Sequence, residues 1–196
     1  MPMVRLRLRL GQEDNCLWEA FFSHHGTCGA VENRNASSGG YNCAVRFAIR
    51  DFKPEDFETL WNIDQECFPL GIAYSREELA MYMRRRSAIT LIAENSDGIE
   101  IAGFIVAHGG ATGHIITIDV LAEARRSGLG SQLLRAAEAR LQESGSHAVG
   151  LETAVDNTGA LAFYKRHGYD VIRTWPRYYA NGVDALVLRK NLDQAR

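Results

Sequence analysis

The sequence has few cysteines, and their spacing argues against two kinds of site. The four cysteines are Cys16, Cys28, Cys43 and Cys67, and none forms a CxxC pair. Dense, even cysteine spacing is typical of disulfide-stapled secreted proteins, so its absence predicts a cytoplasmic protein. His24, His25 and Cys28 stand close together, but no fourth ligand follows at a recognisable spacing, so we expect no metal site.

The sequence also lacks an excess of positive charge and a long apolar run. Its 22 Lys and Arg residues against 24 Asp and Glu residues give a net charge of -2, which provides no broad positive field for a nucleic-acid backbone. The longest apolar runs, in residues 99–107 and 113–121, contain polar residues and are far shorter than the ~20 residues of a membrane-spanning helix. We therefore expect neither nucleic acid nor a membrane as a partner.

What is present is the composition of one globular domain. The chain has 196 residues, of which 46% are hydrophobic and 23% charged, as in soluble folded proteins. The first 43 residues differ: residues 4–10 alternate Arg and Leu like a strand, and residues 36–40 resemble a linker. We divide the chain into an N-terminal extension, residues 1–43, and a domain, residues 44–196. The extension is an accessory strand, a disordered tail or the product of a translation start placed too far upstream; it has no secretory signal.

Hydrophobic periodicity and capping residues predict an α/β fold. Helices are expected after Pro54, with Phe57, Leu60, Trp61 and Phe68 on the apolar face, and after Ser75, where Glu78 completes a capping box. Further helices are expected from Leu129 to Gly145 and from Asn157 to Gly168. Strands are expected at residues 44–50, 89–94, 99–108, 114–121 and 147–155, and on both sides of Asn181-Gly182. The predicted order is βααβββαβαββ, a mixed central sheet flanked by helices.

One loop between a strand and a helix has the composition of a phosphate site. It reads Arg125-x-x-Gly128-x-Gly130, and glycines there allow close backbone approach to a ligand at a helix N-terminus. It is not a Walker A loop, which ends in Gly-Lys-Ser/Thr, and Leu133 stands where a dinucleotide fingerprint has its third glycine. A pyrophosphate fits this loop; the alternative is an ordinary tight turn.

Four motifs in the domain resemble one family. Arg125 to Gly130 resembles the Q/R-x-x-G-x-G/A motif of the GCN5-related N-acetyltransferase (GNAT) superfamily, which wraps the pyrophosphate of acetyl-coenzyme A. Three further segments are similar to the RimI-type protein N-alpha-acetyltransferases: Leu151-Glu152-Thr153 with Asn157, Ala160, Phe163-Tyr164 and Gly168-Tyr169; Arg177-Tyr178-Tyr179 with Asp184-Ala185; and Cys67-Phe68-Pro69. The resemblance covers residues 44–192. It departs from the family at Ala122, where proline is usual, and in the extra residues 71–74.

The resemblance implies a GNAT-type mixed sheet and an enzyme that uses acetyl-CoA as co-substrate. The acceptor would be the N-terminal α-amine of a protein, such as a ribosomal protein. The alternatives are a small-molecule amine acetyltransferase and a non-catalytic acyl-CoA sensor. The oligomeric state is not predicted. The implied cofactor-binding residues are Val120, Arg125, Arg126, Ser127, Gly128, Leu129, Gly130, Ser131, Asn157 and Tyr164.

The resemblance also implies catalytic roles. The main-chain amide of Val120 would bind the thioester carbonyl, and Tyr164 would protonate the departing thiolate as general acid. Glu152, on the strand face opposite Leu151 and Thr153, would be the general base. Tyr164 could instead be a core aromatic, and Glu152 could be exposed or paired with an arginine. We expect the thioester between Glu152 and Tyr164, with both on one face of the sheet.

The remaining implied residues have structural alternatives. Asn157 would contact the pantetheine arm or only cap its helix. Four residues would line the acceptor groove: Phe68, Pro69, Tyr178 and Tyr179. Phe68 could equally be core, and the two tyrosines could be ordinary strand aromatics, of which at most one faces the groove.

Overall fold

A computed structural model describes residues 47–68, 72–95, 100–179 and 181–192. The predicted N-terminal extension, residues 1–43, lies outside the described residues. The same holds for Pro69 and for residues 96–99. The extension therefore stays a prediction, as does the absence of a metal site at His24, His25 and Cys28.

The observed elements confirm the predicted order βααβββαβαββ. They are β1 (Phe47–Asp51), α1 (Phe57–Cys67), α2 (Arg76–Met83), β2 (Ala88–Asn95), β3 (Ile101–His108), β4 (Thr112–Val120), α3 (Leu129–Glu143), β5 (Ala148–Ala154), α4 (Thr158–Arg166), β6 (Asp170–Trp175) and β7 (Ala185–Asn191). The capping box forms as expected, since Ser75 Oγ accepts from the Glu78 amide. Three local details differ. Pro54 opens a short 3-10 turn before α1, Phe68 lies just past the end of α1, and Tyr178 and Tyr179 lie in the connection between β6 and β7.

The seven strands form one sheet in the order β1-β2-β3-β4-β5-β7-β6. Every neighbouring pair is antiparallel except β4 and β5, which are parallel. This parallel pair is joined only over Thr112–His114 and Ala148–Gly150, at the start of both strands. Beyond these residues β4 and β5 diverge, so the middle of the sheet contains a gap. We call it the central gap.

Helices cover both faces of the sheet because the strand side chains alternate in direction. On one face, α3 and α4 pack on a cluster that includes Ile118, Val120 and Leu151. On the other face, α1 and α2 pack on a cluster that includes Phe104, Ile116 and Leu121. Fully buried leucines such as Leu133, Leu134 and Leu141 on α3 each stabilise the fold by roughly 1.5–3 kcal/mol. These two layers hold the edges of the central gap in place.

Candidate active site

The last residue of β4 points its backbone groups into the central gap. The Leu121 amide donates to Ala102 O on the β3 side, at 3.0 Å. Because backbone groups alternate in direction along a strand, the N–H and C=O of Val120 point the other way, toward β5. The β4–β5 pairing has ended by then. The Val120 carbonyl instead accepts from Arg125 Nε at 2.9 Å and Cys67 Sγ at 3.5 Å.

The glycine loop after β4 has an open, left-handed backbone. Arg126 has φ 60° and Gly128 has φ 88°, and both are exposed. Gly128 is the N-cap of α3 and provides no side chain to cap the first-turn amides. Among the described residues, no heavy atom beyond its chain neighbours lies within 4 Å of where a Cβ at Gly128 would be. Successive amides in such a bend form an anion-binding concavity at the positive end of the helix dipole.

The other loop residues support the bend. Ser127 Oγ donates to Ala124 O at 2.7 Å and accepts from the Leu129 amide at 3.3 Å. The Leu129 side chain is buried in the α3 and α4 cluster. A Cβ at Gly130 would lie 3.6 Å from Phe163, which is ordinary contact, and Ser131 follows in the first turn of α3. Gly128 is therefore the position that the backbone requires to be glycine.

Tyr164 on α4 is fully buried, and its hydroxyl has no hydrogen-bond partner among the described residues. Its ring makes edge contacts with Phe163 and Tyr169, with centroids 5.2 Å and 5.4 Å away. Burial raises the pKa of Tyr164 well above its ordinary value, and the charges of Asp119 and Tyr179 raise it further. A buried hydroxyl without a partner costs roughly 1–3 kcal/mol, which a bound ligand would offset.

Glu152 on β5 is 5% exposed, and its Oε2 lies 3.0 Å from Nε2 of His114 on β4. Glu152 follows Leu151, which belongs to the α3 and α4 cluster, so Glu152 projects to the α1 and α2 face. The sequence left open a pairing of Glu152 with an arginine, but the side chain that contacts its carboxylate here is a histidine. His114 carries no sequence signal, since only the register of β4 on β5 brings the two side chains together.

Glu152 and Tyr164 approach the central gap from opposite faces of the sheet. Tyr164 belongs to the α3 and α4 cluster, whereas Glu152 projects to the α1 and α2 face. The expectation that the two share one face is therefore wrong. The reason is that α4 packs on one face of the sheet, whereas strand alternation turns Glu152 to the other.

Of the residues expected at the acceptor groove, Phe68 lies on the α1 and α2 face, and Tyr178 and Tyr179 lie in the connection between β6 and β7. Phe68 is 6% exposed and packs in the cluster of that face. Tyr178 and Tyr179 are half-buried, with an edge contact between their rings at 5.2 Å, and the Trp175 ring lies tilted with its centroid 5.4 Å from that of Tyr178. Because both tyrosines lie in a connection, strand alternation does not limit the groove to one of them.

Asn157 caps α4, as one of its two expected roles requires. Its Oδ1 accepts from the Ala160 amide at 3.1 Å. Its contact with a pantetheine arm stays a prediction.

The arrangement fits acetyl-CoA by its chemistry. The bare α3 N-terminus suits a diphosphate, the Val120 amide faces the central gap, and the Tyr164 hydroxyl is a buried donor that needs an acceptor. In the described part of the chain, no group of three or more His, Cys, Asp or Glu side chains is arranged to hold a metal ion. A helix long and apolar enough to span a bilayer is likewise not found in that part.

Comparisons with known proteins agree with this geometry. Residues 57–169, more than half of the chain, match the Acetyltransferase (GNAT) family. An N-alpha-acetyltransferase of Sulfurisphaera tokodaii is 36% identical over 77 residues, which are 39% of this chain and 46% of that protein. N-alpha-acetyltransferase 30 of Schizosaccharomyces pombe is 36% identical over 80 residues, which are 40% of this chain and 53% of that protein. The chain thus spans about half the length of these two relatives.

A solved structure shows the same architecture over more of the chain. The crystal structure of Ard1 from Thermoplasma volcanium superposes with a TM-score of 0.67 and 28% identity. The superposition covers 74% of this chain and 97% of that one.

Proposed function

The chain belongs to the GNAT acetyltransferase family, and on that premise we propose that it transfers the acetyl group of acetyl-CoA to the N-terminal α-amine of a protein. The observation that carries this proposal is the contact of buried Glu152 with half-buried His114 beside the central gap. It supplies a weak base on the face where Phe68 lies. The names of the relatives support an α-amine as acceptor.

The co-substrate would be held by the loop and the diverged strand. The amides of the first turn of α3 and of the Arg126 to Gly128 bend would bind the diphosphate, with Arg126 adding positive charge. Val120 would donate its N–H to the acyl carbonyl, an oxyanion-hole role that needs no particular side chain. When bound, acetyl-CoA supplies an acyl group activated as a thioester.

Tyr164 would donate a hydrogen bond, and then a proton, to the leaving sulfur. Its raised pKa keeps the phenol protonated at neutral pH. The same raised pKa makes complete proton transfer costly, so the hydroxyl acts best when the acceptor loses its proton in the same step.

Glu152 would take the proton of the acceptor amine from the α1 and α2 face, directly or through an ordered water. His114 stands 3.0 Å from the Glu152 carboxylate, and its side chain is 29% exposed, so it can pass the proton on to solvent. Proton removal and thiolate protonation thus occur on opposite faces of the sheet, which keeps the acid and the base apart.

The ordinary pKa of the acceptor favours an α-amine over a lysine. An α-amine of pKa ~8 loses its proton at pH 7 at a cost of about 1.4 kcal/mol, whereas a lysine of pKa ~10.4 costs about 4.6 kcal/mol. Glu152, in contact with His114, therefore has less to do for an α-amine than for a lysine.

An acceptor panel tests the proposal. Peptides with a free N-terminus, the same peptides with a blocked N-terminus and an internal lysine, and a polyamine are compared for acetyl-CoA consumption and by mass spectrometry. We expect acetylation of the free α-amine only, with a ribosomal-protein N-terminus among the peptides. Preference for the polyamine would contradict the proposal and indicate a small-molecule acetyltransferase. Binding of acetyl-CoA without turnover of any acceptor would indicate an acyl-CoA sensor.

A further inference from the structure

The diverged end of β4 is held by two side chains from outside the sheet. The Val120 carbonyl faces the side from which β5 has departed, and a buried carbonyl there needs a donor. Arg125 Nε provides one at 2.9 Å and Cys67 Sγ another at 3.5 Å. A terminal nitrogen of Arg125 also contacts Cys67 Sγ at 3.9 Å. The three groups form a closed cluster, which we call the strand clamp.

The chemistry of both side chains suits this contact. Cys67 is 2% exposed, and burial raises the pKa of its thiol to about 12; the charge of Asp119 adds to the rise and Arg125 opposes it. The thiol therefore stays protonated and can donate. The planar guanidinium of Arg125 presents its N–H groups in a fixed fork, which reaches the carbonyl oxygen and the sulfur together.

This orientation differs from the role that the motif implied for Arg125. The side chain turns back under β4, whereas its neighbour Arg126 is exposed on the loop with φ 60°. Charge toward a phosphate is thus better supplied by Arg126.

We propose that Arg125 and Cys67 are positioning residues that replace the missing β5 partner of Val120. They hold the end of β4 so that the Val120 N–H is presented to the acyl carbonyl. Because Cys67 directly precedes Phe68, the strand clamp also joins the acceptor wall to the cofactor strand. The inference rests on the proposed function for the identity of the acyl group.

The Arg125→Lys variant separates positioning from phosphate binding, because lysine keeps the charge and loses the fork. Isothermal titration of the full chain measures the affinity for CoA and for acetyl-CoA, which differ by the acyl group that Val120 would contact. We expect CoA affinity within about twofold of wild type, acetyl-CoA affinity weakened about tenfold and kcat lowered about tenfold. Equal losses for CoA and acetyl-CoA, or no change in either, would overturn the proposal.

Four further variants control the result. Arg126→Gln should weaken CoA and acetyl-CoA equally. Cys67→Ser keeps a hydrogen-bond donor and should retain most of the preference for acetyl-CoA over CoA, whereas Cys67→Ala should lose it. This pair of variants tests the proposal on its own if Arg125→Lys does not fold. In the double variant R125K/C67A the loss should be smaller than the sum of the single losses, because both residues act on one carbonyl; simple additivity would contradict a shared clamp.

The readouts distinguish the two proposals. If the wild-type chain binds CoA and acetyl-CoA but acetylates no α-amine, the acceptor proposal fails. The ratio of the two affinities in Arg125→Lys then still tests the positioning role of Arg125. If the wild-type chain binds neither form, both proposals fail.

Discussion

A few buried polar side chains lie around the central gap, and packing of an apolar core does not explain them. Glu152 is 5% exposed and the Tyr164 hydroxyl is fully buried without a partner among the described residues. Groups of this kind cost free energy unless they are bonded, so their presence needs a reason outside packing. A thioester in the gap would supply the missing partner of Tyr164, and an acceptor amine would give the Glu152 carboxylate a role beyond its contact with His114.

Replacing Tyr164 by phenylalanine tests the acid. The ring contacts with Phe163 and Tyr169 are kept while the hydroxyl is removed, so stability should hold or rise slightly. We expect kcat to fall about 100-fold and CoA affinity to fall much less. Steady-state kinetics and titration of CoA measure the two effects; a variant with wild-type kcat would remove Tyr164 from the mechanism.

Combining Glu152→Gln with His114→Gln tests the base. We expect Glu152→Gln to lower kcat about 100-fold. His114 acts through Glu152, so adding His114→Gln to Glu152→Gln should cost little more, although His114→Gln alone lowers kcat. The four proteins are compared by kcat at several pH values, and independent losses would show that the two residues do not work as a pair.

At the scale of elements, the start of α3 connects the loop to the sheet. The helix begins at Gly128 in a left-handed conformation and buries Leu129, Leu133 and Leu134 against the strands. Its middle is tied to the β6 and β7 end of the sheet by Glu138, which accepts from the Tyr169 hydroxyl at 2.9 Å and from Lys190 Nζ at 2.6 Å. The bend is thus carried on a helix with little freedom to move.

Replacing Gly128 by alanine tests the bend against a matched control. Gly145 ends α3 with φ 91°, close to the 88° of Gly128, and a Cβ would meet no atom within 4 Å at either position among the described residues. Both alanine variants should lose about 1–2 kcal/mol of unfolding free energy from the left-handed backbone.

Only Gly128→Ala should also weaken CoA binding, by about tenfold, because its methyl group occupies the space for the diphosphate. Denaturant unfolding and titration of CoA measure the two quantities. Equal CoA affinity in the two variants would contradict a phosphate site at this bend.

At the scale of the whole molecule, the sheet carries a buried histidine far along β3. His108 is 7% exposed, and its Nε2 lies 2.9 Å from Tyr82 O. Burial lowers the pKa of His108 below its ordinary value; the contact with Tyr82 opposes this, and the charges of Arg85 and His114 add to it. The fold therefore holds this histidine in its neutral form.

The stability of the whole chain should consequently depend on pH. In the unfolded chain His108 takes up a proton below pH ~6.5, whereas in the folded chain its lowered pKa keeps it neutral to lower pH. The free energy of unfolding therefore falls as the pH drops from 7.5 toward the lowered pKa. Denaturant unfolding at pH 7.5, 6.5 and 5.5 measures this slope. The slope should be smaller in His108→Gln than in the wild-type chain; equal slopes in the two proteins would contradict it.

Local sequence signals predicted most of the fold because helices and turns depend on neighbouring residues. The 3.6-residue period of Leu133, Leu134, Ala137 and Leu141 predicted the buried face of α3, and the Ser75 capping box formed as expected. Tyr178 and Tyr179 were open to a strand assignment because aromatic residues favour strands, yet they lie in the β6–β7 connection. There the backbone is held by contacts such as Gly182 N to Tyr179 O.

By itself, the sequence determined the order of the elements, the glycine bend and the residue types available for acyl transfer, since these depend on local periodicity and spacing. Only the tertiary structure decided which residues meet. Three results have no local signal: the divergence of β4 from β5, the pairing of His114 with Glu152, and the return of Arg125 to Val120 and Cys67. The first two depend on the register of two strands, and the third on a carbonyl that must find a donor once its strand partner has gone.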